Sequence, residues 1–339
     1  MMWRIATLCT ALVLAAGLTG CERNGQVEQI DEAIAEGADA QYQIAVIPKG
    51  RTHDFWRAIH AGARKAADEL DVNIIWMSGE REDDRRQQID VVQNFIARGI
   101  DAIVLAPLDE NALVRPVEEA ERRGIPVIII DSGLQTDQYR SFIATDNYEG
   151  GRLGARRLGE MMGGEGYAMM LRYSEGSAST AEREQGFLDE IRENYPDIEL
   201  LSYNQYAGAT QESAFQAAQT LLNRYGAQVE GIFCPNESSS FGMLRALQTG
   251  GYAGELYFVG FDTSESLLLG LREGHIHGLV TQDPFSMGYK GVAAAVDVLE
   301  GREVEERVAT RLDIVTPENI DEPEIQELIA PELAAVAGN

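Results

Sequence analysis

Cysteine is nearly absent from this chain, and the few present are badly placed for cross-linking. Cys9 and Cys21 lie close to the start, and Cys234 stands alone in everything that follows. That excludes an intrachain disulfide in the globular part and any cysteine-based metal cluster. Cys234 follows the apolar Gly231-Ile232-Phe233, a buried-strand context in which a thiol acts as a small hydrophobe. Positive charge is also scarce: 28 Lys and Arg stand against 55 Asp and Glu, a formal charge of −27. Nucleic acid and anionic lipid both call for a basic face, so neither is an expected electrostatic partner. Catalytic signatures are missing as well: there is no Gly-x-Ser-x-Gly elbow, phosphate loop or His-Glu-x-x-His. Among four histidines, His275 and His277 share a His-x-His without a third ligand nearby, and His53 and His60 stand two helical turns apart. No metal, cofactor or catalytic residue is therefore expected.

What is present begins with an N-terminal leader. Met1 to Arg4 is a short basic start, and Ile5 to Ala16 is an apolar run. That run is too short for a bilayer, which takes roughly 20 residues, but suits a signal-peptide core. Leu18-Thr19-Gly20-Cys21 then looks like a bacterial lipobox. Residues 1–20 read as a lipoprotein signal peptide and Cys21 as the acylated residue, giving a chain anchored to a membrane by lipid and not spanning it. Residues 21–41 are polar, acidic and Ala-rich, and read as a flexible tether with room for a helical turn at 28–36.

The chain has 339 residues, so about 300 remain, which suits two domains of ordinary size. From Tyr42 onward short β-branched runs alternate with helical periodicity. Strands are predicted at 44–47, 72–76, 102–106, 127–130 and 141–144, with helices at 54–70, 84–98 and 110–123 between them. A second set follows, with strands at 167–171, 199–203, 231–234, 256–260 and 277–281. Its helices are predicted at 151–162, 178–193, 211–225, 239–248 and 264–272. A helix at 284–299, a last strand at 308–315 and a polar tail from Thr316 along the surface complete the chain. Repeated βα units mean parallel sheets covered by helices on both faces. The fold class is thus α/β, with two doubly wound parallel-sheet lobes.

In such sheets ligands sit beyond the carboxyl ends of the strands. The polar and aromatic residues there include Lys49, His53, Phe55, Trp56, Asp131, Arg183, Tyr206, Asn236, Phe261, Asp262 and Gln282. Carboxylate, amide and guanidinium groups form paired hydrogen bonds to adjacent hydroxyls, and aromatic faces cover the C–H surface of a sugar ring. Each also has a purely structural reading. Asp131 and Asp262 could cap helices, Arg183 could pair with Glu182 or Glu184 on a surface, and Asn236 could be a turn residue after Pro235.

Several stretches in order carry a resemblance. They are Ala61-Gly62-Ala63, Pro126 to Asp131, Ala144 to Gly151, Arg183 to Phe187, Cys234 to Glu237, Leu244 to Gln248, Val259 to Asp262 and Thr281 to Pro284. From about Tyr42 to Val315 the chain resembles periplasmic sugar-binding proteins of the ribose-binding type, which feed ABC transporters. The resemblance implies a type I periplasmic binding protein fold, two lobes joined by three crossing segments, here near 144–147, 282–284 and 312–314. The N-terminal lobe would be 42–144 plus 284–311, the C-terminal lobe 145–283 plus 312–330, and 331–339 a tail. It implies that Asp131, Arg183, Asn236, Asp262 and Gln282 hydrogen-bond a sugar and that Phe55 and Trp56 pack on it.

Four positions depart from the ribose pattern. Lys49 replaces a small polar residue, His53 an amide, Ser132 an Arg and Ala106 an Asn. Ribose itself is therefore not implied. A cleft-facing Lys49 would favour a sugar with an acidic group; the alternative is pairing with Asp54 or Asp109. The implied function is a monomeric, lipid-anchored solute-binding protein of the periplasm or cell surface, closing on a sugar or sugar derivative and handing it to an ABC transporter permease. A sensor docking on a membrane kinase or chemoreceptor is the alternative, and a sugar-modifying enzyme the third class.

Overall fold

The computed structural model describes residues 27–79 and 81–330. The signal peptide, Cys21 and the 331–339 tail lie outside those residues. Strands β1 (Gln43–Ile47), β2 (Asn73–Trp76), β3 (Ala102–Leu105), β4 (Val127–Ile130) and β5 (Ser141–Ala144) form a first sheet with β11 (Arg307–Ala309), in the order β2-β1-β3-β4-β5-β11. The second sheet takes β6 (Glu165–Arg172), β7 (Asp197–Tyr206), β8 (Gly231–Phe233), β9 (Tyr257–Phe261), β10 (Gly278–Gln282) and β12 (Leu312–Val315), in the matching order β7-β6-β8-β9-β10-β12. Every pairing is parallel except β10 with β12. β3 and β4 are buried along their whole length, because a parallel sheet with helices on both faces hides both sides of each strand.

The helices are α1 (27–36), α2 (Asp54–Leu70), α3 (Arg85–Arg98), α4 (Val114–Arg122), α5 (Asn147–Met161), α6 (Ala178–Asn194), α7 (Gln211–Tyr225), α8 (Glu237–Gly250), α9 (Glu265–Arg272), α10 (Pro284–Leu299) and α11 (Pro323–Ile329). α2 and α10 pack on one face of the first sheet, where Ile59, Met287 and Val292 join its core. Their backbones touch. A Cβ at Gly62 would collide with the Phe285 carbonyl oxygen, and one at Gly288 with that of Ile59. Gly62→Ala is therefore expected to destabilise the first lobe by about 1–3 kcal/mol through overpacking, seen as a lower urea midpoint at unchanged slope.

Three expectations need correction. Residues 27–36, read within a flexible tether, form α1 and dock on the first lobe. Ile30 is fully buried in its core, and Asp31 pairs with Arg98 at 2.5 Å. The helical turn expected at 28–36 is thus present, but Ile30, Ala33 and Ile34 give it an apolar face that packs on the lobe, where an acidic, Ala-rich composition suggested a free tether. The last strand is not one strand. β11 pairs with β5 in the first sheet and β12 with β10 in the second, so this crossing falls at Thr310 and Arg311, ahead of 312–314. There the Thr310 hydroxyl meets that of Thr145 at 3.2 Å, tying two crossings together. Finally, the tail after Thr316 is not merely superficial: Ile320, Ile325 and Leu328 are buried, the first two in the core of the second lobe.

Candidate functional site

The carboxyl ends of the two sheets face each other. β1 stops at Pro48, whose carbonyl accepts from Gln88 Nε2; the same amide binds Ala106 O and Leu108 N. One buried Gln thus ties the loops after β1 and β3. Lys49, 5% exposed, places its ammonium 2.8 Å from Asp131 Oδ2 and donates to Ser179 Oγ at 3.2 Å and Ser177 Oγ at 3.4 Å in the other lobe. Neither partner is the Asp54 or Asp109 considered from sequence. The cation is thus already paired with a carboxylate of its own lobe.

α2 begins at Asp54, so Phe55 and Trp56 occupy its first turn, edge to face at 4.9 Å. Trp56 Nε1 donates to Glu82 Oε1 at 2.7 Å, and His53 Nδ1 lies 2.8 Å from the same oxygen. Tyr173, from the other lobe, donates to Glu82 Oε2 at 3.0 Å. Burial alone would lower the His53 pKa. The Glu82 carboxylate outweighs that, with help from Glu237 and Asp262, and raises it to about 9. His53 is therefore cationic at neutral pH.

Asp131 directly follows β4 and Asp262 directly follows β9, both in the left-handed region with φ of 63° and 68°. Such backbone costs about 1–3 kcal/mol for most side chains, and Asp tolerates it better than most. Here it turns a carboxylate into the cleft from each lobe. Neither is a helix N-cap: α9 is capped by Ser264, and β5 follows Asp131. Asp262 instead accepts Glu237 N–H at 2.9 Å and Gln282 Nε2 at 2.7 Å. Burial raises its pKa, against the pull of Arg183.

Arg183 is 2% exposed on α6. Its Nε donates to Asn147 Oδ1 at 2.9 Å, its Nη1 to Pro235 O at 3.0 Å, and its guanidinium lies 4.0 Å above the Phe261 ring. The surface-pair alternative falls: Glu184 pairs with Arg172. Asn236 does cap α8, its Oδ1 accepting from Ser239, while its Nδ2 donates to Ser238 Oγ at 3.0 Å.

These side chains enclose a cavity of about 30 Å³. Around it stand Lys49, His53, Phe55, Trp56, Asp131, Arg183, Asn236, Asp262 and Gln282. Arg183 Nη2 and Gln282 Oε1 are buried with no hydrogen-bond partner, and Asp131 Oδ2 has only the poorly aligned Lys49 ammonium. Two candidates lie elsewhere. Phe261 is fully buried behind Arg183, a platform and not a wall. Tyr206 ends the edge strand β7, 36% exposed, its ring 4.5 Å from the Arg172 guanidinium.

Sequence reasoning missed Glu82, Tyr173, Ser179 and Thr180, which also line the cavity, and left Glu237 out of the site set. Glu82 lies in an acidic run a few residues past β2, and Tyr173 directly follows β6, so the strand-end rule could have found both. The lobes are shut on one another. Besides the contacts above, Ser179 N donates to Ser132 Oγ at 3.1 Å and Glu110 N to Gly176 O at 3.0 Å. Beyond Phe55, Asp262 and Gln282 a larger chamber of about 300 Å³ opens at the hinge edge.

A family model described as periplasmic binding protein domain matches residues 44–303. The chain is 27% identical over 314 residues to the ribose import binding protein of Salmonella typhimurium, covering 93% of this chain and 98% of that one. Among solved structures it is similar to a carbohydrate transporter solute-binding protein of Agrobacterium radiobacter in complex with D-arabinose, with TM-score 0.83, 32% identity, and 86% and 99% of the two chains covered. It is also similar to an ABC transporter solute-binding protein of Agrobacterium vitis with bound D-fucose, with TM-score 0.82, 34% identity, and 85% and 99% covered. With two equivalent parallel-sheet lobes closed over a polar cavity, and a match across most of its length, the chain belongs to the periplasmic binding protein family and has its type I fold.

Proposed function

We propose that this protein is the periplasmic solute-binding component of a sugar ABC importer, lipid-anchored through Cys21, and that it takes a neutral monosaccharide between its lobes. One observation carries the reading: the buried, unpartnered Arg183 Nη2 and Gln282 Oε1 border the cavity beside Asp131 and Asp262. One needs an acceptor and the others need donors. A hydroxyl is both, so a ring of hydroxyls satisfies all of them at once. Phe55 and Trp56 supply apolar surface for the ring's C–H face. The charges argue against an acidic sugar: the three cations Lys49, Arg183 and His53 face the four carboxyl groups of Glu82, Asp131, Glu237 and Asp262, which leaves no surplus cation for an anionic group. The similar proteins with bound D-arabinose and D-fucose support the same class of ligand.

A cavity of about 30 Å³ is on the scale of one or two waters. A sugar therefore enters by the lobes swinging apart on the three crossings and takes its place as they close. Contacts to both lobes give it higher affinity for the closed form, which shifts the population toward it. The permease then reads the closed surface, and the protein releases its ligand without turnover.

A thermal-shift screen of pentoses, hexoses, uronates and sugar phosphates tests this. A neutral monosaccharide at a hundred times its Kd is expected to add about 2.7 kcal/mol of stability, with uronates and phosphates giving less. A panel on which only acidic sugars shift the melt would overturn the charge argument. One on which nothing shifts would overturn the function.

A further inference from the structure

The first N–H groups of a helix need acceptors from outside it. Asp84, Asp146, Thr210, Asn236, Ser264 and Asp283 provide one for α3, α5, α7, α8, α9 and α10. His53, at the same position of α2, makes no such bond. The acceptor comes from the opposite lobe. Glu237 Oε1 takes the Asp54 N–H at 3.3 Å, and Oε2 the Phe55 N–H at 3.1 Å. Glu237 is itself held: its own N–H donates to Asp262 Oδ2, and Asp262 Oδ1 accepts from Gln282 at the start of a crossing. A continuous path thus runs from the hinge through Gln282, Asp262 and Glu237 to the turn that carries Phe55 and Trp56.

We propose that Glu237 is a positioning residue for ligand binding: on closure its carboxyl completes the N-terminus of α2 from across the cleft and so fixes Phe55 and Trp56 over the cavity. The contact joins the lobes, so it exists only when they are shut. Loss of a helix cap costs about fivefold to tenfold in an equilibrium constant, and here that equilibrium is closure.

The charged groups facing Glu237 give the proposal a signature. They are His53 and Asp54 at the start of α2 and Asp262 after β9. Glu82 reaches it through His53, and Arg183 on α6 through Asp262. Burial lifts the Glu237 carboxyl from 4.5 to about 7; His53 and the Phe55 N–H oppose the rise, and Asp262 and Asp54 add to it. Opening the lobes exposes the group and returns it toward 4.5. A pKa raised on closing means that closing takes up a proton. The closed form is then favoured fully at low pH, and that advantage is lost as pH rises through 7. His53, raised from 6.5 to about 9, takes up its proton between those values, so part of its contribution overlaps this window and persists when Glu237 is replaced.

The experiment uses Glu237→Gln and Glu237→Ala, with calorimetry between pH 5 and 8 on the monosaccharide that gives the largest thermal shift. For the unaltered protein, affinity is expected to fall on the order of fiftyfold across that range. E237Q keeps an oxygen acceptor without the Glu237 titration, so its affinity should fall much less with pH than the unaltered protein's, and at pH 8 it should bind no more weakly. E237A loses the cap and should bind about fivefold to tenfold more weakly at pH 5. Small-angle scattering without sugar should give E237A a larger radius of gyration than E237Q at pH 5. An E237Q profile as steep as the unaltered protein's, or an E237A protein as tight-binding and compact as the original, would overturn the proposal. The calorimetric arm rests on the proposed sugar site, whereas scattering needs no ligand. Should no sugar bind, the function fails and scattering alone decides the latch.

Discussion

Arg183→Ala is expected to weaken sugar binding by about 2–5 kcal/mol, roughly thirtyfold to several thousandfold, a loss that calorimetry would read. The size follows from how the group is held. A guanidinium with 2% exposure has lost its water, and burial accordingly lowers its pKa. Two of its nitrogens are taken by Asn147 and Pro235, and Phe261 supports its face, which leaves Nη2 aimed at nothing but the cavity. The cost of desolvation is thus met before any ligand arrives, and a hydroxyl gains the full charge-assisted bond. Truncation to Ala removes that bond and the cation beside Asp262. Arg183→Lys is expected to recover little, because an ammonium cannot reach Asn147, Pro235 and the ligand in one plane. A loss below tenfold for the Ala variant, with the fold intact by circular dichroism, would mean that Arg183 does not meet the ligand.

Lys49→Met has the largest expected effect on stability. Lys49 and Asp131 form a buried ion pair, and removing one member strands the other charge out of water, at about 3–5 kcal/mol. For a lobe of this size that lowers the melting midpoint by on the order of 10 °C. The pair as a whole need not stabilise, since desolvation of two charges offsets much of their attraction. Lys49→Met combined with Asp131→Leu should therefore melt well above Lys49→Met alone, while losing sugar binding together with the Asp131 carboxylate. A double variant no more stable than the single one would show that the damage is loss of packing and not of charge compensation.

Much of the architecture was legible beforehand because its signals are local. Strands such as Val127–Ile130 are short apolar runs, and helices such as Asp54–Leu70 and Pro284–Leu299 repeat at 3.6 residues, the second opening on the Asp283 cap. The helical turn expected at 28–36 is α1, but its docking was not legible, because only Ile30, Ala33 and Ile34 mark an inner face among acidic residues. The split of β11 from β12 was invisible, since two adjacent three- and four-residue strands look like one until their different partners are known. At the site, position after a strand end selected Asp131, Asp262 and Gln282 but also Tyr206, which an edge strand carries away from the cleft.

The sequence by itself determined the two-lobed parallel architecture and the rim from which ligand-facing groups are drawn, because strand and helix periodicities depend only on neighbouring residues. Tertiary structure alone decided which rim groups are spent and which are free. Lys49 is consumed by Asp131 and Glu237 by the α2 terminus, while Arg183 keeps one nitrogen and Gln282 one oxygen for a guest. Hydrogen-bond partners 20 to 183 residues apart set that balance, and no local pattern encodes pairings at such separations.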